Sequence, residues 1–399
     1  RYLKDNNKFE EAFNKSKELL KIDKNDPEIY ALMGDISKEL QNYPVALEAY
    51  MNCFKINRNY ERCTSKLYNF LMQIEPSIFL DKWVQAFELI LSDKKNLGQK
   101  KLFIIANRAI KFLKLNNIVK NLIKTSDIFY NDPNTFRLLE NKSIEELEKI
   151  LSALSRSKLF RLSINETLIN DIEVEKLLIF FRRFILFKIY DVKFLNSITS
   201  LIESLALNCF FNNYIFYISD NEKKELKNFE NKILDPKSNT HNLDTIQLLC
   251  LGMYQNLSNS ILTEKFEIKK LPSKFLKHCI IDAREEDKLI KTIPTFNHIN
   301  NQVSLKIRQQ YEVFPYPAWL YTNTYLQRTN MKDYLKSLEI KLYNNDLFSK
   351  KQIKILIGGC GTGKEPAEIG ELIENTEITA VDISKKSLGY AARQCKEMK

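Results

Sequence analysis

Glycine is scarce in this chain: nine in 399 residues, where an average composition of about 7% would supply about three times as many. Histidine is scarcer, at three, and the seven cysteines at 53, 63, 209, 250, 279, 360 and 395 contain no Cys-x-x-Cys pair. Neither residue type has metal-ligand spacing, so no metal site is expected. An odd, dispersed set of cysteines has the pattern of reduced cytosolic thiols that simply pack. No run of 18 apolar residues occurs. The greasiest stretch, Leu177–Tyr190, is interrupted by Arg182, Arg183 and Lys188, which argues against a membrane span. The chain begins on Arg1 and no charged-then-apolar leader follows, so no secretory signal is expected and the expected location is cytoplasmic. The absence of an initial Met suggests a piece of a longer protein.

Hydrophobic residues make up 44% and charged residues 28%, which excludes a wholly disordered or collagen-like chain. At about 100–200 residues per domain, the length suggests two or three domains. The net charge is +11, which invites nucleic acid as a partner. Lysine, however, supplies 48 of the 61 basic residues, and Lys, Asn and Ile all have AT-rich codons. Acidic residues are interleaved with the lysines, so no basic stripe stands out and direct nucleic-acid binding is not expected.

The N-terminal region repeats at 34 residues. Phe9 aligns with Tyr43, Ala12 with Ala46, Phe13 with Leu47, Leu20 with Phe54, Lys21 with Lys55 and Ile22 with Ile56. Between them lies Tyr30-Ala31-Leu32-Met33-Gly34. Small Gly34 and Ala46 would let two antiparallel helices approach closely, with aromatics filling the gap to the next pair. This pattern resembles the tetratricopeptide repeat, with one unit over about 28–57 and the second helix of a preceding one over about 8–22. The alternative is an ordinary helical hairpin.

From 61 to 300 the chain reads as successive helices without chemistry. Asn170 with Glu173 has capping-box spacing before the periodic run Val174, Leu177, Leu178, Phe181, Phe184 and Ile185. Pro76, Pro133, Pro236 and Pro272 stand at expected helix starts or breaks. Ser219–Glu230 reads as an exposed connection or helix face, and Tyr214, Phe216 and Tyr217 as core. His241, His278 and His298 have neither metal spacing nor triad context and read as structural or surface residues.

At Lys351 the pattern changes. Ile353-Lys354-Ile355-Leu356-Ile357 is a β-branched strand, and four of the nine glycines follow it at 358, 359, 361 and 363. Lys364–Glu374 reads as a helix with Pro366 in its first turn. Ile378–Asp382 is a second strand, and Ser384 caps a second helix running to about Glu397. This β-α-β-α order, with a glycine loop after one strand and an acid closing the next, is the opening of a Rossmann-type nucleotide-binding sheet.

Spacing separates three ligands. A dinucleotide fingerprint needs glycine where Lys364 stands. A P-loop fits Gly358 to Lys364 but then needs Ser or Thr, and Glu365 sets a carboxylate where the Mg²⁺-binding hydroxyl belongs. The third reading, G-x-G-x-G at Gly359, Gly361 and Gly363 with Asp382 placed to accept ribose hydroxyls, is the S-adenosyl-L-methionine loop. A glycine turn without ligand is the remaining option.

The segments Ile355–Gly363, Ala380–Ser384 and Ser387–Ala391 resemble the class I methyltransferase domain of bacterial tetratricopeptide-repeat methyltransferases. Gln310–Trp319 is similar to that family's Q-Y-E-x-x-P-Y-P-x-W segment, and Ala206–Tyr214 to a stretch of its helical middle. The resemblance implies an all-α, tetratricopeptide-like N-terminal region (1–60) and helical middle (61–300). A connector (301–350) and the first half of an α/β Rossmann-like class I methyltransferase domain (351–399) follow. It implies S-adenosyl-L-methionine as cofactor. Gly359, Gly361 and Gly363 would line its methionine and ribose side, with Cys360 and Thr362 contributing mainly backbone. Asp382 would hold the ribose diol and Ile383 would pack on adenine. Tyr311, Tyr316 and Trp319 are candidates to cover the cofactor, the alternative being a proline-fixed linker packed on the sheet. Phe314 and Ala318 depart from the Asn and Arg that family members often carry.

Two strands are present where such a sheet has about seven, so the fragment alone is expected to be inactive and to bind cofactor weakly or not at all. No catalytic base is assignable. The function implied is a methyltransferase whose helical repeats recruit a protein partner or the methyl acceptor. A non-catalytic repeat scaffold with a vestigial Rossmann half is the alternative, and a divergent P-loop ATPase a third.

Overall fold

The computed structural model describes residues 2–58, 61–130, 141–165, 167–235, 244–296, 300–313, 315–316, 318–322, 328–341 and 352–398. The chain divides into two compact units, 1–181 and 182–399. Helix dominates both, and among the described residues the only sheet has two parallel strands. No helix among the described residues is long and apolar enough to cross a membrane.

In the first unit, helices α1 (Phe9–Ile22), α2 (Pro27–Glu39), α3 (Tyr43–Ile56) and α4 (Glu61–Gln73) pack in succession. The Asp26 side chain accepts from Glu28 N–H, with Pro27 at the first position of α2. Asn42 caps α3 in the same way, with Pro44 in its first turn. The helices α1 and α3 start and stop 34 residues apart, which is the period of the sequence repeat. Helices α2 and α3 meet closely at Gly34, since a Cβ there would lie 2.4 Å from the Tyr50 ring. The Tyr50 hydroxyl donates to Asp35 Oδ1 at 2.9 Å, and Lys66 of α4 donates to the same oxygen at 2.6 Å. Asp35 therefore ties three helices together.

Cys53 on α3 and Cys63 on α4 form a disulfide, their Cα atoms 5.4 Å apart. This corrects the expectation of seven reduced, packing cysteines, and it removes the cysteine-based argument for a reducing compartment. The pair lies ten residues apart on neighbouring helices. The thiols of Cys209, Cys250, Cys279 and Cys360 are buried outside any disulfide, and Cys395 is exposed.

A second correction concerns the helix Ile172–Phe187. Its cap is Asp171, whose carboxylate accepts from Glu173 N–H at 3.1 Å and Val174 N–H at 3.2 Å, not Asn170. Pro76 stands between two helices and Pro272 immediately before one. Pro133, Pro236, His241 and His298 lie outside the described residues.

In the second unit, Ser219–Glu230 belongs to a regular helix, Asp220–Leu234, opened by a capping box between Ser219 and Glu222. Glu222 is buried, not solvated. It accepts from Arg183 Nε at 3.0 Å and lies 3.6 Å from Arg182 Nη2. The arginines that break the apolar run at 177–190 are thus interior charges with a carboxylate partner. Phe216 is core as expected, whereas Tyr217 is largely exposed. His278 Nδ1 lies 3.0 Å from Asp282.

The C-terminal segment contains β1 (Ile353–Gly358), α7 (Lys364–Leu372), β2 (Thr376–Val381) and α8 (Lys385–Glu397), with α5 (Ala283–Ile290) and α6 (Gln302–Val313) packed against α8. Strands β1 and β2 run parallel in register from Ile353 opposite Thr376 to Gly358 opposite Val381. At Gly389 a Cβ would lie 2.7 Å from Ile290, so α5 and α8 meet closely there. Arg393 of α8, buried at the same seam, donates to Glu286 at 2.8 Å and lies 3.6 Å from Asp282. Thr329 forms an isolated parallel bridge with Ile373. Helices α5 and α6 and residue Thr329 therefore pack with 352–398.

Candidate functional site

Because β1 and β2 end in register, the loop after one and the acid after the other meet at the same edge of the sheet. Gly359 N–H and Cys360 N–H both donate to Val381 O, at 2.8 and 3.1 Å, which draws the loop across the end of β2. Gly361 N–H donates to Asp382 Oδ2 at 2.8 Å, and Ser384 N–H to Oδ1 at 2.8 Å. Both carboxylate oxygens are thereby oriented by backbone, and each keeps lone-pair capacity for a further donor.

The loop needs glycine for two separable reasons. Gly359 and Gly363 both have left-handed φ, +70° and +79°, where a side chain is strained. A Cβ on Gly363 would also strike Ala391 of α8, at 2.5 Å. A Cβ on Gly359 would meet nothing within 4 Å.

That open space belongs to a pocket of about 480 Å³. Gly359 and Gly361 form its floor, and Val381, Asp382 and Ile383 one wall. The rest of the lining comes from upstream: Ile307 and Tyr311 of α6, and Tyr316 beyond it. Among the described residues, Asp382 is the only charged residue of the lining, and no cation lines it. Six of the ten residues singled out from sequence are thus brought together: Gly359, Gly361, Asp382, Ile383, Tyr311 and Tyr316.

The other four serve the loop from behind. Trp319 is 1% exposed and does not line the pocket, which corrects its reading as a cofactor cover. Its indole N–H donates to Thr362 O at 2.9 Å, and its backbone N–H to the Tyr390 hydroxyl at 3.0 Å. Tyr390 and Gln394 both donate to its carbonyl. The buried ring, bonded to Thr362, and the backbone, bonded to Tyr390 and Gln394, brace the loop against α8. Thr362 is fully buried, and Gly363 packs on α8. Cys360 is buried, its thiol pushed up to about 11 by burial and then by the Asp382 carboxylate, so at neutral pH it is a protonated thiol and not a nucleophile. Phe314 lies outside the described residues.

Sequence reading missed Ile307 and Val381. Ile307 stands one helical turn before Tyr311, so the helical periodicity that carries one to the pocket carries the other.

The N-terminus of α8 is not free for an anion, whereas no side chain caps α7. The Ser384 hydroxyl accepts from Ser387 N–H at 3.1 Å, and Glu312 Oε1 from Lys385 N–H at 2.8 Å, at the start of α8. Glu365 occupies the first turn of α7. The chain matches no protein-family model, no curated protein and no solved structure.

Proposed function

We propose that the C-terminal β-α-β-α unit is the cofactor site of a Rossmann-like class I methyltransferase that takes S-adenosyl-L-methionine. On the same reading, α1–α3 are tetratricopeptide-repeat-like helices that hold a protein partner or the methyl acceptor. The observation that carries the reading is the composition of the pocket at the ends of β1 and β2: bare glycine backbone, one oriented carboxylate, two tyrosines and, among the described residues, no cation.

A diphosphate would need cationic side chains or a free helix N-terminus. Here the lining stops at Gly361, and Glu365 places negative charge in the first turn of α7. That disfavours the P-loop and dinucleotide alternatives. A nucleoside carrying an amino-acid tail fits the residues present. Gly359 leaves the space that a Cβ would fill, so the ligand can approach the backbone there. Asp382 would accept the two ribose hydroxyls, its orientation fixed beforehand by Gly361 and Ser384. Ile383 would pack on the base, and Tyr311 and Tyr316 would exclude water. The bound cofactor supplies a sulfonium-activated methyl group. The chain's contribution is to hold and align it, which is where most of the acceleration of such a transfer arises.

Titration calorimetry of the chain with S-adenosyl-L-methionine tests this, with Asp382→Ala and Asp382→Asn alongside. Weak binding, weakened further by about 1–3 kcal/mol in Asp382→Ala, is expected, the cost of stranding hydrogen-bonded groups. Asp382→Asn keeps an acceptor for one of the two backbone donors and guards against a folding defect. Binding of ATP or NAD in place of S-adenosyl-L-methionine overturns the assignment. Binding of none of the three favours a repeat scaffold.

A further inference from the structure

None of the twelve residues of α6 is buried, yet this helix supplies Ile307 and Tyr311 to the pocket wall. Its position therefore depends on polar contacts more than on apolar burial. At its N-terminal end those contacts are local: Asn301 Oδ1 accepts from Val303 N–H at 2.8 Å and Ser304 N–H at 3.2 Å. At its C-terminal end they reach across to α8. Tyr311 O accepts from the Ser384 hydroxyl at 3.2 Å, and Glu312 Oε1 accepts from Lys385 N–H at 2.8 Å. Lys385 is the first residue of α8, so its N–H has no partner within that helix, and a carboxylate there also faces the positive end of the helix dipole. Arg308, one turn earlier, approaches the same carboxylate oxygen at 3.7 Å.

The contacts converge on the carboxylate of the pocket. Ser384 donates its N–H to Asp382 and its hydroxyl to Tyr311. One residue thus separates the group that would hold the ligand from the helix that covers it.

We propose that Glu312 is a positioning residue for the pocket: by capping α8 it latches α6 in place, so that Ile307 and Tyr311 close on the ligand and retain it. A ligand touching both Asp382 and the α6 wall binds the latched state better and so shifts the helix toward it. The identity of the ligand rests on the function proposed above, whereas the latch does not.

The test uses the whole chain with Glu312→Ala and Glu312→Gln, read by hydrogen exchange without ligand and by binding kinetics with S-adenosyl-L-methionine. Glu312→Ala should speed exchange across 302–313 by about tenfold, while β1 and β2 keep their protection. Glu312→Gln, which preserves shape and an acceptor oxygen, should fall between it and the parent chain. Dissociation of S-adenosyl-L-methionine should become about tenfold faster in Glu312→Ala, with the association rate and the number of sites unchanged. A merely structural role would instead lower the binding-competent fraction and expose β1 and β2 as well; that result, or unchanged exchange of α6, overturns the latch. If the parent chain binds no S-adenosyl-L-methionine, the cofactor assignment falls, and the latch is decided by exchange alone.

Discussion

Gly34 in the N-terminal unit and Gly359 in the C-terminal unit stand in opposite surroundings. A Cβ on Gly34 would collide with the Tyr50 ring at 2.4 Å, whereas a Cβ on Gly359 would enter open space. The first glycine is there so that another part of the protein can fill its place. The second is there so that nothing of the protein does. Gly363, four residues on, belongs to the first kind although it lies in the same loop as the second, because Ala391 occupies the space beside it. In a chain with nine glycines, clustering marks the loop. What a side chain would meet at each position separates the packing role from the ligand-facing one.

Gly34→Ala is the sharpest way to break this comparison, and it should cost the most stability. The Tyr50 ring cannot simply swing aside, since its hydroxyl is held by Asp35. Overpacking toward the upper end of the usual range, about 2–3 kcal/mol because the held ring cannot give way, is offset only in part by the better helix propensity of alanine, about 1 kcal/mol. A net loss of about 1–2 kcal/mol is expected in urea unfolding followed at the first unit. Adding Tyr50→Leu should recover part of it, because the smaller side chain vacates the site of the clash. No loss in the single variant would mean that α2 and α3 do not approach as closely as the structure gives.

Gly359→Ala should do the reverse. The left-handed backbone carries a penalty of about 1–2 kcal/mol with any side chain, but there is no clash to add to it. Stability should therefore fall by about 1 kcal/mol. The methyl would project into the pocket, so affinity for S-adenosyl-L-methionine should drop about tenfold, equivalent to about 1.4 kcal/mol. Unfolding curves and calorimetry on the same sample separate the two effects. Equal binding by Gly359→Ala and the parent chain would remove the ligand-facing role from this glycine.

Much of the C-terminal segment was legible because several local signals agree there. A β-branched run, a glycine cluster, a proline suited to a first helical turn and a serine cap all point to one order of elements. The roles of the aromatics were not legible. Tyr311, Tyr316 and Trp319 lie within nine positions of one another, yet only the tyrosines face the pocket, and Trp319 stands behind the loop with its N–H on Thr362. Sequence alone gives the residue type but not the side of the loop. The cap of Ile172–Phe187 shows a finer limit. Asn170 and Asp171 are both good caps, and the local backbone decides between them. The Cys53–Cys63 pair and the buried Glu222 were missed for a common reason. Each depends on a partner brought close by packing between helices, which no spacing rule records.

Acid should reveal the smallest difference between the two regions. Burial alone would raise the Asp35 carboxyl, but hydrogen bonds from Lys66 and Tyr50 outweigh it and hold the group below its ordinary 3.8. A depressed carboxyl contributes stability that is present above 3.8 and is lost as the pH falls through the folded value. In the second unit Glu286 has the opposite sign. Burial raises it above 4.5 despite Arg393, so its ionised form costs stability, and protonation relieves that cost as the pH falls toward 4.5. Asp282 in the same cluster is lowered, burial being outweighed chiefly by His278 and then Lys277, and so opposes Glu286. The two acids of the α5–α8 seam therefore partly cancel, whereas Asp35 has no such counterweight at the α2–α4 junction. Hydrogen exchange between pH 5 and 3, corrected for intrinsic rates, should show α2 and α3 losing protection before α5 and α8. Asp35→Asn should flatten that loss. Earlier loosening of α5 and α8 would show that Asp282 dominates its cluster and that the N-terminal junction is the less acid-sensitive of the two.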